Sequence, residues 1–528
     1  MKLLHDLVTV SANARPDHVA LHAGSRQTSY AELFAAVSGV ANGLRALGVC
    51  RGERVAIFLP KCVEVVASMF GTSAAGAVFV PINSVLKPPQ VAHILRDSGA
   101  RVLITSSGRA RGLVAELADC RHLRNIVLTD GDGTDDFGAI TPVSWKQLLR
   151  AETFDHARAI DIDPVAILYT SGSTGKPKGV VLSHRNMVCG AESVSSYLQN
   201  RAADCILAVL PFSFDYGFSQ LSTAFSVGAS VALIEYLLAR DVVAALGRHA
   251  ITGLAAVPPL WIQLAALEWP TGIAEHLRYI TNSGGAMPTA TLQKLRAKVP
   301  STSVFLMYGL TEAFRSTYLP PDQADVRPTS IGKAIPSAEI LVVRSDGTPC
   351  APGEPGELVH RGALVSLGYW NDPEKTALRF RPAPARAPEL TTPELAVWSG
   401  DTVIADEEGY LYFVGRRDEM IKTSGYRVSP TEIEEVLYAT GVVAEVIAFG
   451  APHPVLGQAI VAVGVVSAHS AGDASERLLA ACREALPNYM IPSHIEWRES
   501  LPRNANGKID RPAVAASFAT LFAERANG

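Results

Sequence analysis

The chain has 528 residues, of which 48% are hydrophobic and 19% charged, and its formal net charge is -4. That length exceeds what one ordinary core fills, so two or more domains are expected, and the composition is that of a globular chain and not a disordered one. The slight acidity excludes a broad basic surface for nucleic acid. Seven cysteines, odd in number and without a C-x-x-C pair, speak for free thiols in a reducing, cytoplasmic setting and against a zinc site or disulfide framework.

The first residues, Met-Lys-Leu-Leu-His-Asp, do not read as a signal peptide, because Asp6 comes early and no long apolar run follows before Asn13. Ser29 to Leu47 carries Leu33, Val37, Val40, Leu44 and Leu47 at helical spacing, with Ser29 as the cap. Arg54–Leu59 is a short apolar strand. Val65 to Leu86 has the length of a membrane span, but its glycines, hydroxyls and Pro81 predict a buried helix running into a buried strand. Arg101–Thr105 and Asn125–Thr129 read as strands with a helix between them. This alternation predicts parallel or mixed sheets covered by helices, an α/β fold.

Residues 130–140 are an acidic, glycine-rich loop and residues 381–392 a proline-rich one. The better domain boundary lies near Gly415–Asp418, giving a large domain over 1–416 and a small, mobile α+β domain over 417–528. There the chain restarts with Ser429 as a cap, Pro430 in the first turn and Glu432 three residues after the cap.

Thr170 to Gly179 holds three glycines, four hydroxyl residues and two lysines, directly after the apolar run Val165–Tyr169. Glycine lets backbone N–H groups turn inward around phosphate oxygens, hydroxyls donate to those oxygens or bind a metal, and lysine offsets their charge. The loop is no Walker motif: Gly172 and Gly175 are only three apart, and Pro177 stands where that motif needs a magnesium-binding hydroxyl.

On this segment, Tyr169-Thr-Ser-Gly-Ser-Thr-Gly-Lys-Pro-Lys-Gly-Val180, the chain resembles the adenylate-forming (AMP-binding) superfamily, which includes acyl-CoA synthetases, luciferases and amino-acid adenylation domains. The resemblance runs over nearly the whole chain, with further motifs in matching order. It implies that Thr170, Ser171, Gly172, Ser173, Thr174, Gly175 and Lys178 hold ATP phosphates. Ser283-Gly284-Gly285-Ala286 becomes the adenine segment. In Tyr308-Gly309-Leu310-Thr311-Glu312 the ring stacks on adenine, the threonine meets the α-phosphate region and Glu312 holds Mg2+, with Thr174 as a second metal contact. One carboxylate beside phosphates suits that ion. Asp401 in Trp398-Ser-Gly-Asp accepts from the ribose diol, with Ser399 replacing the more usual threonine, and Arg416 is the second ribose contact. Asp418 falls at the hinge. Lys508 bridges the incoming carboxylate and the α-phosphate, whereas Lys422, in Lys422-Thr-Ser-Gly425, faces the site in the thioester step after the small domain turns.

The reaction implied is ATP-dependent and AMP-forming: an acyl-adenylate is made and its acyl group passes to the thiol of coenzyme A. The alternative is an amino-acid adenylation enzyme that loads the phosphopantetheine of a separate carrier protein. The segment Pro211–Phe218 lies where the family builds one wall of the acid pocket, and Phe214, Asp215, Ser219, Ser283 and Arg315 are the candidate pocket residues. Asp215 falls where amino-acid adenylation domains place the carboxylate that pairs with a substrate ammonium. An unpaired carboxylate in a pocket is costly, so an amino acid or other amine-bearing substrate is expected to pair with it, the alternative being that Asp215 contacts solvent or a protein group. Arg315 is open to a second substrate carboxylate or to a surface ion pair.

Overall fold

The computed structural model describes residues 2–152, 158–170, 177–384, 389–416, 419–423, 426–453, 456–467, 473–486, 488–504 and 507–522. A seven-stranded sheet runs in the order Thr141–Ser144, Asn125–Leu128, Val102–Thr105, Arg54–Phe58, Val78–Pro81, Pro164–Thr170, Lys178–Ser183. All its neighbours are parallel except the last pair. Parallel strands need both faces covered, and these read as nearly continuous apolar runs, with Val102, Leu103 and Ile104 fully buried.

The expected elements are present within a residue or two. The helix Tyr30–Ala46 is opened by Ser29, whose hydroxyl accepts from the Glu32 N–H while the Glu32 carboxylate accepts from the Ser29 N–H. The long uncharged stretch is the helix Val63–Ala74 followed by the buried strand Val78–Pro81. No helix among the described residues is long and apolar enough to cross a membrane.

A fourteen-stranded sheet forms the second layer. Its parallel centre includes Cys205–Ala208, Gly253–Ala256, Tyr279–Asn282 and Ser303–Tyr308. Beyond Tyr308 it turns antiparallel, through Thr317–Leu319 and Ser330–Ala334 to Leu411–Arg416 and Leu395–Ala405. The chain after residue 419 builds a separate five-stranded sheet with its own core of Ile433, Leu437, Val446, Ala462 and Leu478. Its helix Pro430–Ala439 starts on Pro430 as expected, but the Ser429 hydroxyl makes no capping bond there. The small unit is thus mixed α+β, set beside a large α/β unit. The expected hinge residue Asp418 lies outside the described residues.

Candidate active site

The strands Pro164–Thr170 and Lys178–Ser183 pair antiparallel, with Thr170 opposite Lys178. The residues that flank the glycine-rich segment are therefore neighbouring antiparallel strands. A Walker loop opens into a helix, so the structure agrees with the spacing that excluded it. Ser171, Gly172, Ser173, Thr174 and Gly175 lie outside the described residues. The two ends of the loop do not: Thr170 Oγ1 is buried with no hydrogen-bond partner among the described residues, a donor in want of an acceptor.

Lys178 Nζ lies 3.1 Å from Glu312 Oε1 and donates to the Tyr369 hydroxyl at 2.8 Å. Tyr369 in turn donates to the same Glu312 oxygen at 2.5 Å. Burial pushes the Glu312 carboxyl up, but the Lys178 charge and the Tyr369 hydrogen bond outweigh it and hold Glu312 below its ordinary value. Burial lowers Lys178 in spite of Glu312. Glu312 sits in a 3-10 turn, Thr311–Ala313, directly after the strand Ser303–Tyr308. Among the described residues no cluster of three or more acidic, histidine or cysteine side chains forms a metal cage. A single buried carboxylate beside a phosphate loop fits Mg2+, which keeps waters and phosphate oxygens as its other ligands.

Tyr308 ends its strand half-buried and donates to Asp401 Oδ2 at 2.5 Å. Asp401 stands opposite Arg416 in the antiparallel pair, and Arg416 Nε is 3.2 Å from Asp401 Oδ1. Burial raises the Asp401 carboxyl although Arg416 and Tyr308 oppose it. Tyr308, expected as a stacking ring, thus also holds Asp401. Gly284 has φ +82°, and Gly285 and Ala286 after it are exposed.

Lys508 comes from the small domain and reaches into the large one. Its Nζ stands 5.2 Å from the centre of the Phe214 ring. A Cβ on Gly284 would lie 2.8 Å from Lys508 Cε, which puts the lysine chain end against that backbone, and φ +82° favours glycine there. Burial lowers the Lys508 ammonium, partly offset by the Asp215 charge. Lys422 lies in the strand Ile421–Thr423, but its side chain is outside the described residues.

The acid side departs from expectation. Asp215 is already met by the protein: Arg315 NH1 is 2.8 Å from its Oδ2, and the Thr311 hydroxyl donates to its Oδ1 at 3.2 Å. It also occupies the first turn of the helix Asp215–Val227, where the helix dipole favours a carboxylate. The reason for expecting a substrate ammonium, an otherwise unpaired carboxylate, is removed. Arg315 meets a protein carboxylate, in a buried pair and not at the surface. Ser219, one helical turn on, faces Thr223 at 3.4 Å, and Ser283 is buried at the end of its strand. A cavity of about 430 Å³ lies between Phe212, Ser213, Tyr236, Leu260, Arg503, Asn504 and Gly507, the last of which precedes Lys508 in the chain.

Two contributors escaped the sequence reading. Tyr369 buttresses Glu312 and lies on Lys178, its ring centre 4.2 Å from Nζ. Arg379, which donates to the Trp398 carbonyl at 2.9 Å, adds positive charge that helps lower both Glu312 and Asp401. The run Gly368-Tyr369-Trp370 was the available signal: two aromatics beside a glycine in a polar stretch.

Residues 8–370 match the AMP-binding enzyme family, and residues 432–508 match the AMP-binding enzyme C-terminal domain. The chain belongs to the AMP-binding enzyme family. Feruloyl-CoA synthase from Amycolatopsis sp is 32% identical over 515 residues, covering 96% of this chain and 97% of the relative. An L-proline–[L-prolyl-carrier protein] ligase from Pseudomonas fluorescens is 30% identical over 531 residues, covering 98% and 99%. Among solved structures, an anthranilate CoA ligase in complex with anthranoyl-AMP superimposes with a TM-score of 0.88 at 26% identity, covering 99% of this chain and 98% of that one. With this fold and site, the protein is an AMP-forming acid–thiol ligase of the acyl-CoA synthetase type, a class that works with ATP, Mg2+ and coenzyme A.

Proposed function

We propose that this ligase activates a compact carboxylic acid in the cleft between its two domains and passes the acyl group to coenzyme A. The acid's carboxylate attacks the α-phosphorus of ATP and pyrophosphate leaves. The thiolate then attacks the acyl carbon of the adenylate and AMP leaves. The protein positions reactants and stabilises charge, and it needs no covalent nucleophile of its own. The observation that carries this reading is Lys508, brought from the small domain against Gly284 and Phe214 of the large one.

In this reading Thr170, Ser171, Ser173, Thr174 and Lys178 cradle the phosphates, and Glu312 with Thr174 would hold Mg2+, which screens phosphate charge when bound. Gly284–Ala286 and the Tyr308 ring border adenine, and Asp401 with Arg416 binds the ribose. Lys422 serves the thioester step after the small domain (417–528) turns about Asp418 on the large one (1–416). The cavity bordered by Ser213 and Gly507 adjoins Lys508 in the chain and suits the arm that carries the acceptor thiol. Seven free cysteines fit a cytoplasmic enzyme.

The test is ATP–pyrophosphate exchange over a panel of fatty, aryl and amino acids, followed by addition of coenzyme A. Exchange with a compact acid and stoichiometric loss of free thiol are expected. Absence of exchange with every acid would overturn the reading. Loading of a carrier protein is the second reading, favoured by the full-length similarity to the prolyl-carrier ligase. It predicts exchange with amino acids and no consumption of coenzyme A. The engagement of Asp215 by Arg315 favours the first reading.

A further inference from the structure

The small domain meets one short segment of the large domain at two points. Lys508 lies against Gly284, just after the strand Tyr279–Asn282. Five residues further on, the backbone N–H of Thr289 donates to Glu435 Oε1 at 3.0 Å. Glu435 belongs to the small domain, in the helix Pro430–Ala439, and is 146 residues from Thr289 in the chain. Between the two contacts lie Gly285 and Ala286, assigned above to adenine.

The second contact fills a need of the large domain. Thr289 is the first residue of the helix Thr289–Lys298, and the N–H groups of a first helical turn have no acceptor within the helix. An oxygen-bearing side chain at the preceding position commonly serves them. That position is Pro288, which has none. Glu435 supplies the oxygen from the other domain, and its charge suits the positive end of the helix dipole.

Glu435 is also tied to Lys508 through its own helix. The preceding residue, Glu434, points back into the small domain, where it accepts from the Ala448 N–H at 2.8 Å and from Arg511. Arg511 donates as well to Glu419, at 3.0 Å, and stands three residues after Lys508. Contacts therefore run from Thr289 through Glu435, Glu434 and Arg511 to Lys508, and close at Gly284. Fixing the helix at Thr289 fixes where the lysine falls. The bond between Thr289 and Glu435 is also one that opens easily. Once released, both groups return to water, so the net energy that holds them is modest. That suits a contact made for one step and undone for the next.

We infer that Glu435 is a positioning residue for adenylation: by capping the helix Thr289–Lys298 across the domain boundary it seats Lys508, and it lets go when the small domain turns for thioester formation. This rests on the ligase reading above, with its turning small domain. The experiment compares two half-reactions of the full-length enzyme. One is ATP–pyrophosphate exchange with the acid that exchanges fastest in the panel. The other is transfer to coenzyme A from that acid's separately prepared acyl-adenylate. In Glu435→Ala, exchange is expected to fall about fivefold, the effect of losing a helix cap, while transfer stays level or rises. Thr289→Pro, which deletes the N–H at a helix position that accepts proline, is expected to do the same. In the double variant the loss should match the larger single loss and not their product. Should Thr289→Pro not fold, Glu435→Gln, which keeps the acceptor and loses the charge, is expected to fall between wild type and Glu435→Ala. An equal fall in both half-reactions, no fall in exchange, or losses that multiply overturn the inference and leave the ligase reading standing. Amide hydrogen exchange of the nucleotide-free enzyme reads the contact without turnover. The first amides of the helix Thr289–Lys298 are expected to exchange faster in Glu435→Ala than in wild type, and equal rates overturn the inference whether or not any acid is activated. Failure of the wild type to activate any acid removes the ligase reading and this inference with it.

Discussion

Lys178 and Glu312 form a partly buried ion pair, Nζ to Oε1 3.1 Å, that ties the strand after the glycine-rich segment to the turn after Tyr308. The two residues are 134 apart in the chain, and the Tyr369 hydroxyl closes the triangle. Removing the carboxylate leaves Lys178 buried and unmatched and takes away the hard oxygen expected to hold Mg2+. Glu312→Gln is expected to lower the exchange rate by roughly 10²–10³-fold, the usual cost of losing one preorganised electrostatic group. A Mg2+ titration of the exchange rate checks it, and an unaltered Mg2+ requirement at full rate would remove Glu312 from the site.

Lys508 sets a pH limit. Burial holds its pKa below the ordinary lysine value, and Asp215 only partly offsets this. The charged form is the one that can bridge two anions, so adenylation is lost as pH rises through the lowered pKa, earlier than for an ordinary lysine. The stability sign runs the other way. The unfolded chain binds the proton more tightly, so this group's penalty on folding falls as pH rises between the two pKa values. The alkaline limb of the exchange profile in wild type should move to higher pH in Lys508→Arg, if that variant retains measurable rate. Lys508→Ala with full exchange would remove the assigned role.

Asp401 is held by Tyr308 at 2.5 Å and by Arg416 at 3.2 Å. A hydrogen bond to a charged group is worth about 1.5–3 kcal/mol, so Tyr308→Phe is expected to raise the KM for ATP by roughly 10- to 100-fold. Asp401→Asn should do at least as much. Competition by AMP measures the same loss without turnover.

Gly190 packs against the buried Phe314 ring: a Cβ there would come 2.3 Å from Phe314 Cδ1. Gly190→Ala is expected to destabilise the fold by about 1–3 kcal/mol, the common cost of overpacking a filled core. Urea unfolding measures it.

The local motifs were legible in the chain because their chemistry is local. A loop dense in glycine, hydroxyl and lysine can cradle phosphate whatever surrounds it. Apolar spacing at periods near 3.6 and in short runs marked the helices and buried strands within a residue or two. Lys508 was found by its neighbours in sequence, although nothing local says that a lysine near the chain end enters a site more than two hundred residues away.

Long-range partners were decided by the fold alone. Asp215 and Arg315 are one hundred residues apart, and sequence could name each as a pocket residue without saying that they neutralise each other. Tyr369 reaches Glu312 because its strand neighbour Val180 belongs to the strand after the glycine-rich segment. Ion pairing depends on distance in space, on burial and on which competing partner arrives first, and a linear pattern carries none of these. The sequence by itself therefore determined the family and the reaction class. The tertiary structure decided the charge state around Asp215, by bringing Arg315 and Thr311 to it from far along the chain.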